Sequence, residues 1–119
     1  MIVSVPALPE LFSEFDAIQG HRRRYTPETL RAAFKESGLE VERIFWWGGW
    51  LVERLRKTRS RLKSRPGESA AQTYRRYLSL PPWPATHVLA VMFASEQNRA
   101  LDGALTTGTS LFAVGRAVP

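Results

Sequence analysis

Between Asp16 and Tyr25 the stretch DAIQGHRRRY gathers one carboxylate, one imidazole, three guanidinium groups and one phenol, immediately ahead of the helix-starting run TPETL. An imidazole is the side chain best suited to take a proton near neutrality, and a carboxylate five residues upstream is in reach to orient it. Two readings of this segment stand side by side. In one, His21, Arg24 and Tyr25 face a substrate or frame its pocket, with Asp16 orienting His21. In the other, Asp16, His21 and the arginines knit a loop through hydrogen bonds to carbonyls, Tyr25 packs on a sheet, and Arg22 is a solvated surface charge. No pair of histidines or carboxylates has metal-ligand spacing, so no metal is expected.

The elements that must position these residues follow from pattern. MIVSVPAL is β-branched and interrupted by Pro6, which predicts a short buried strand opening into the loop that holds Asp16 to Tyr25. In YTPETLRAAFKESG, Thr26 is a helix cap, Pro27 suits the first helical position, Leu30, Ala33 and Phe34 share one face, and Gly38 ends the helix. LEVERIFWW predicts a strand that alternates at first and is then covered on both faces, broken by Gly48 and Gly49. Helical spacing returns from Trp50, with Leu51, Leu55 and Leu62 on one side. SRPGESAAQ reads as a flexible linker, and the three prolines of SLPPWPAT forbid regular structure there. A helix follows over 86–105, its stripe of Val88, Val91, Met92 and Leu101 read as core packing. TTGTSLFAVGRAV is a glycine turn and a terminal strand.

The chain has 119 residues, 44% of them hydrophobic, which suits a single domain with a modest core. Seventeen basic residues against eleven acidic give a net charge of +6, and almost all the basic residues lie between Arg22 and Arg76. Seven of them fall between Arg54 and Arg65, so that helix carries an almost wholly cationic polar face. It reads as a solvated face, as a surface for an anionic membrane or lipid-like substrate with Trp46, Trp47 and Trp50 at its entrance, or as a nucleic-acid patch. No nucleic-acid fold signature accompanies the charge. The absence of cysteine excludes disulfides and thiolate metal sites. With no basic leader before IVSVPAL and no apolar run near the ~20 residues of a membrane span, a cytoplasmic location is expected.

VPALPELFSEFD, DAIQGHRRRYTPETL, FKESGLEVERI and TGTSLFAVGR together resemble the C-terminal half of class I S-adenosylmethionine-dependent methyltransferases of the small-molecule and lipid-type group. In that group a strand ending in V-P-A precedes D-x-x-x-G-H-x-R-R-Y-[ST], a helix and a glycine turn, and a G-T-S strand closes the domain. Phe12 stands where tryptophan is common, and Thr107 where proline often precedes the terminal glycine. The implied fold is α/β, the C-terminal half of a Rossmann-like sheet: three strands, the last pair antiparallel, with a helical insertion. Residues 1–49 would supply strand, loop, helix and strand, 50–105 the basic insertion and 106–119 the terminal strand.

The resemblance implies methyl transfer from S-adenosylmethionine to a small-molecule or lipid-like acceptor, with His21 and Tyr25 catalytic and Pro6, Asp16, Arg23, Arg24 and Trp46 binding substrate. The Gly-rich turn and ribose-binding carboxylate that hold this cofactor have no counterpart here, and WWGG is no substitute. The cofactor-binding half is therefore expected outside these residues, and the isolated chain is expected to be inactive. Its first strand would pair with the terminal strand on one side and leave its other edge bare, inviting that missing half or a second copy. The competing reading is a non-catalytic basic module that binds a partner protein, anionic lipid or nucleic acid through Arg54 to Arg65.

Overall fold

The computed structural model describes residues 1–58, 63–79 and 81–119. Strand β1 (Ile2–Pro6) is followed by a single 3-10 turn (Pro9–Leu11) and helices α1 (Glu14–Ile18) and α2 (Pro27–Glu36). Then come β2 (Leu39–Trp47), α3 (Leu51–Thr58), α4 (Ala70–Leu78), α5 (Ala85–Leu101) and β3 (Ser110–Ala117). The result is a mixed α/β fold. Its sheet has the order β1-β3-β2, with β3 antiparallel to both neighbours. The last strand of the chain thus lies between the first two.

Helix α2 forms as local chemistry demands. The Thr26 hydroxyl accepts from the Thr29 amide at 3.2 Å, and the Thr29 hydroxyl accepts from the Thr26 amide at 2.9 Å. Pro27 sits in the first turn, and Gly38 adopts φ +71° after the last one. Leu30 and Phe34 are buried with Ala7, Leu111 and Ala113. Phe34 lies so close to β3 that a Cβ on Gly115 would overlap its ring.

Strand β2 carries a bulge at Glu42, since Val41 pairs with Gly115 and Arg43 with Val114. The extra residue shifts the alternation, so Leu39, Val41, Ile44 and Trp46 all face α2 while Phe45 and Trp47 face the other way. On that second face Phe45 stacks on Phe112 at 5.4 Å, and Trp47 stacks on Phe93 of α5 at 4.6 Å. At the end of β2, Gly48 takes φ +78° against the Thr109 side chain. The Glu96 carboxylate then accepts from the amides of Gly49 (2.7 Å) and Trp50 (3.3 Å), anchoring α5 to the start of α3.

Several expectations are corrected. SRPGESAAQ is no flexible linker: Ser69 and Gln72 form a capping box that opens α4, and Glu68 is clasped by Arg76 at 2.8 and 2.7 Å and by the Arg65 amide at 2.8 Å. Helix α4 packs on α1 through Phe15, Tyr74 and Tyr77. Helix α5 ends at Leu101, and its stripe is not core: Val88, Val91, Met92 and Leu101 are exposed, whereas Glu96 and Ala100 are buried. The stripe faces outward because only the side bearing Phe93, Glu96 and Ala100 meets the sheet end. Trp46, Trp47 and Trp50, at the entrance of the basic helix, are half-buried. Trp46 packs against the α2-side core, Trp47 and Trp50 hold Phe93, and the exposed tryptophan is Trp83. The expected contact of Leu62 and the basic residues Arg59 and Arg61 lie outside the described residues.

The chain exposes 8089 Å² of surface, against about 6,500 Å² for a typical folded monomer of this mass. Apolar side chains meet solvent on the outer side of α5 and on β1, where Ile2 is 75% exposed, and also at Phe12, Leu78, Trp83 and Val118. No helix among the described residues is long and apolar enough to cross a membrane.

Candidate functional site

The site forms where the chain leaves β1 and returns to it. Odd-numbered β1 residues bond to β3, as shown by the Met1–Gly115 exchange and by the Ala7 amide donating to Thr109 O at 2.9 Å. The backbone groups of Ile2, Ser4 and Pro6 therefore point to the open edge. Pro6, which lacks an N–H, occupies one of these outward positions, where no ladder bond is lost. Beyond the loop, the Tyr25 amide donates to Pro6 O at 2.8 Å and Tyr25 O accepts from the Leu8 amide at 3.1 Å. This short parallel bridge brings Tyr25 beside the end of β1.

Asp16 anchors the loop. It is 1% exposed and accepts from Arg24 Nε at 3.0 and 3.1 Å, from the Ser13 amide at 2.9 Å and from the Ser13 hydroxyl at 3.3 Å. Arg24 also donates through Nη1 to Ala7 O at 2.9 Å, which fastens the loop to the strand end. A buried carboxylate is tolerable only when paired and bonded in this way. The His21 amide donates to Asp16 O at 2.8 Å, closing the turn after α1. His21 Nδ1 lies 3.4 Å from Asp16 Oδ1, buried and without hydrogen-bond geometry, while the ring as a whole is 39% exposed. The ring's exposure therefore lies on its remaining atoms, and Nε2 is the nitrogen free to meet a ligand.

Two hollows flank the imidazole. One, of about 630 Å³, is lined by Ser4, Val5, Pro6, Gly20, His21, Arg22, Arg23 and Tyr25. The other, of about 210 Å³, has Pro6, Asp16, His21 and Arg24 in its wall together with Leu55, Thr109 and Ser110. His21 and Pro6 belong to both. Arg23 is fixed by its guanidinium, which sits 4.7 Å above the Tyr25 ring.

Six of the seven residues singled out from sequence thus converge: Pro6, Asp16, His21, Arg23, Arg24 and Tyr25. Trp46 is not among them, since it packs on the α2 side of the sheet. Asp16 and Arg24 spend their polar atoms on each other and on the loop, as in the loop-knitting reading. Sequence reasoning missed Ser4 and Gly20 and treated Arg22 as mere surface charge. Strand alternation was the one signal for Ser4, and it required knowing which edge β3 covers.

The WWGG turn is occupied by the chain's own side chains. The amides of Gly49 and Trp50 are filled by Glu96, and Gly48 is closed by Thr109. Comparison with protein-family models, curated proteins and solved structures returns no match to the chain.

Proposed function

We propose that this chain is the acceptor side of a class I S-adenosylmethionine-dependent methyltransferase, with the cofactor held by a polypeptide segment outside these residues. The observation that carries the reading is the pairing of β1: the final strand lies against it and leaves its outer edge open, which agrees with what the resemblance implies. A sheet with that open edge has a place for further strands, and the 630 Å³ hollow lies beside it. In this reading the acceptor sits between β1 and the 20–25 loop. His21 Nε2 accepts the proton released by an acceptor hydroxyl or acid, and Asp16, 3.4 Å from Nδ1, stabilises the resulting imidazolium. Tyr25 forms the wall that orients the acceptor.

Within the Arg54 to Arg65 stretch that the alternative of a basic interaction module would use, Arg56 bonds internally, to Glu53 and Glu10. The test is transfer of a labelled methyl group to a panel of hydroxy and carboxy compounds, using the chain assembled with a Gly-rich cofactor-binding half encoded beside it. The chain alone is expected to show no S-adenosylmethionine binding in calorimetry, and the assembly to bind and transfer. An assembly that binds no cofactor and labels no acceptor would sink the reading.

A further inference from the structure

We infer that the hollow between β1 and the 20–25 loop binds a carboxylate attached to an apolar body, and that Arg22 and Arg23 are its anchors. This inference rests on the acceptor-side reading and names the acceptor's class. The lining holds two guanidinium groups and an imidazole but no carboxylate. Neither Arg22 nor Arg23 has a carboxylate partner among the described residues, whereas the adjacent Arg24 is paired with Asp16. The acid nearest in sequence, Asp16, is buried behind His21 and consumed by Arg24 and Ser13. Two uncompensated cations at the mouth of a concave site favour an anion, and the planar guanidinium fork matches a carboxylate through two parallel bonds.

The rest of the lining sets the body of the ligand. Val5, Pro6 and the Tyr25 ring are apolar, and the volume suits a small molecule. Arginine forks bind phosphate as well as carboxylate, but many phosphate sites add clustered backbone amides at a helix N-terminus or nest, and no helix begins in this lining. Arg23 is held over Tyr25, so its fork is pre-positioned at the junction of the apolar and cationic halves.

The experiment is an NMR titration of the chain with benzoate, benzamide and inorganic phosphate. Benzoate should saturate, shifting Arg22, Arg23, His21 and Tyr25 signals. Arg22→Gln with Arg23→Gln should weaken benzoate at least tenfold, and the single Arg22→Gln, which leaves the Arg23–Tyr25 stack intact, should weaken it severalfold. Arg99→Gln, remote from the hollow, should change nothing. Equal binding of benzamide, or unchanged benzoate affinity in the double variant, overturns the anion subsite. Phosphate binding tighter than benzoate overturns the carboxylate assignment. None of these readings involves methyl transfer, so their failure is distinct from failure of the enzymatic reading.

Discussion

Asp16 Oδ1 stands 3.4 Å from His21 Nδ1, yet the same carboxylate is committed to Arg24 Nε at 3.0 Å. One buried acid therefore does two things: it ties the loop to the end of β1 and sets a negative charge behind the imidazole. The two roles separate by mutation. Asp16→Ala leaves Arg24, 11% exposed in its side chain, facing an empty site and should cost about 3–5 kcal/mol of stability. His21→Ala removes a ring with no hydrogen bond through Nδ1 and should change stability by less than about 1 kcal/mol. Denaturant unfolding of the two variants measures the difference. In the proposed methyltransferase assembly His21→Ala should lower turnover and leave cofactor affinity unchanged. A fall in stability matching the fall in turnover would instead make His21 a loop-knitting residue.

Gly115 is required by packing. Its Cα lies under the Phe34 ring, so Gly115→Ala must push Phe34 off the sheet and should cost about 1–3 kcal/mol. Phe34→Leu in the same background should recover part of the loss, since it frees the space that the new methyl group needs. Unfolding midpoints of the single and double variants give the answer.

Glu68 makes the α4 region acid-sensitive. The Arg76 guanidinium, followed by the Arg65 amide, lowers its carboxyl from 4.5 to about 2. Because the folded pKa is depressed, the contribution is fully present above the ordinary carboxylate value and is lost as pH falls from there through about 2. Amide exchange of α4 should therefore accelerate across that window. Glu68→Gln should remove this step and leave the exchange of α2, whose cap contains no Glu68, unaffected.

The open edge of β1 and the bare side of α5 predict association. Ile2 and Ser4 have no backbone partner on the outer side among the described residues, and Ile2 is 75% exposed. Sedimentation should show concentration-dependent self-association, reduced by Ser4→Pro, which deletes an outward donor. Val3→Pro should behave differently, because Val3 faces Ala113 in the ladder and its loss should unfold the sheet. Val91→Lys with Met92→Lys tests α5 separately. A monodisperse monomer at all concentrations would show that neither surface recruits a second chain.

Part of this fold is settled among neighbouring residues. Helix α2 was legible because Thr26, Pro27, Thr29 and Gly38 satisfy its ends within a few residues, and Leu30 and Phe34 mark its buried face. The three strands were legible for the same local reason, as was the gathering of polar chemistry between Asp16 and Tyr25. Tertiary structure decided the rest. Whether β2 keeps its alternation depends on β3, and the bulge at Glu42 arises only in that pairing. Ser69 and Gln72 gave a local capping signal for α4, but it lay in a polar stretch and is reinforced by Arg76 reaching back to Glu68. The stripe on α5 has the same hydrophobicity whether covered or bare, and only the position of the sheet shows that Phe93 and Glu96 face inward instead. Likewise Arg22, Arg23 and Arg24 are identical in type and adjacent in sequence. Arg24 alone reaches the buried Asp16 and Ala7 O, so tertiary position makes it a strut and leaves the other two at the hollow without a carboxylate.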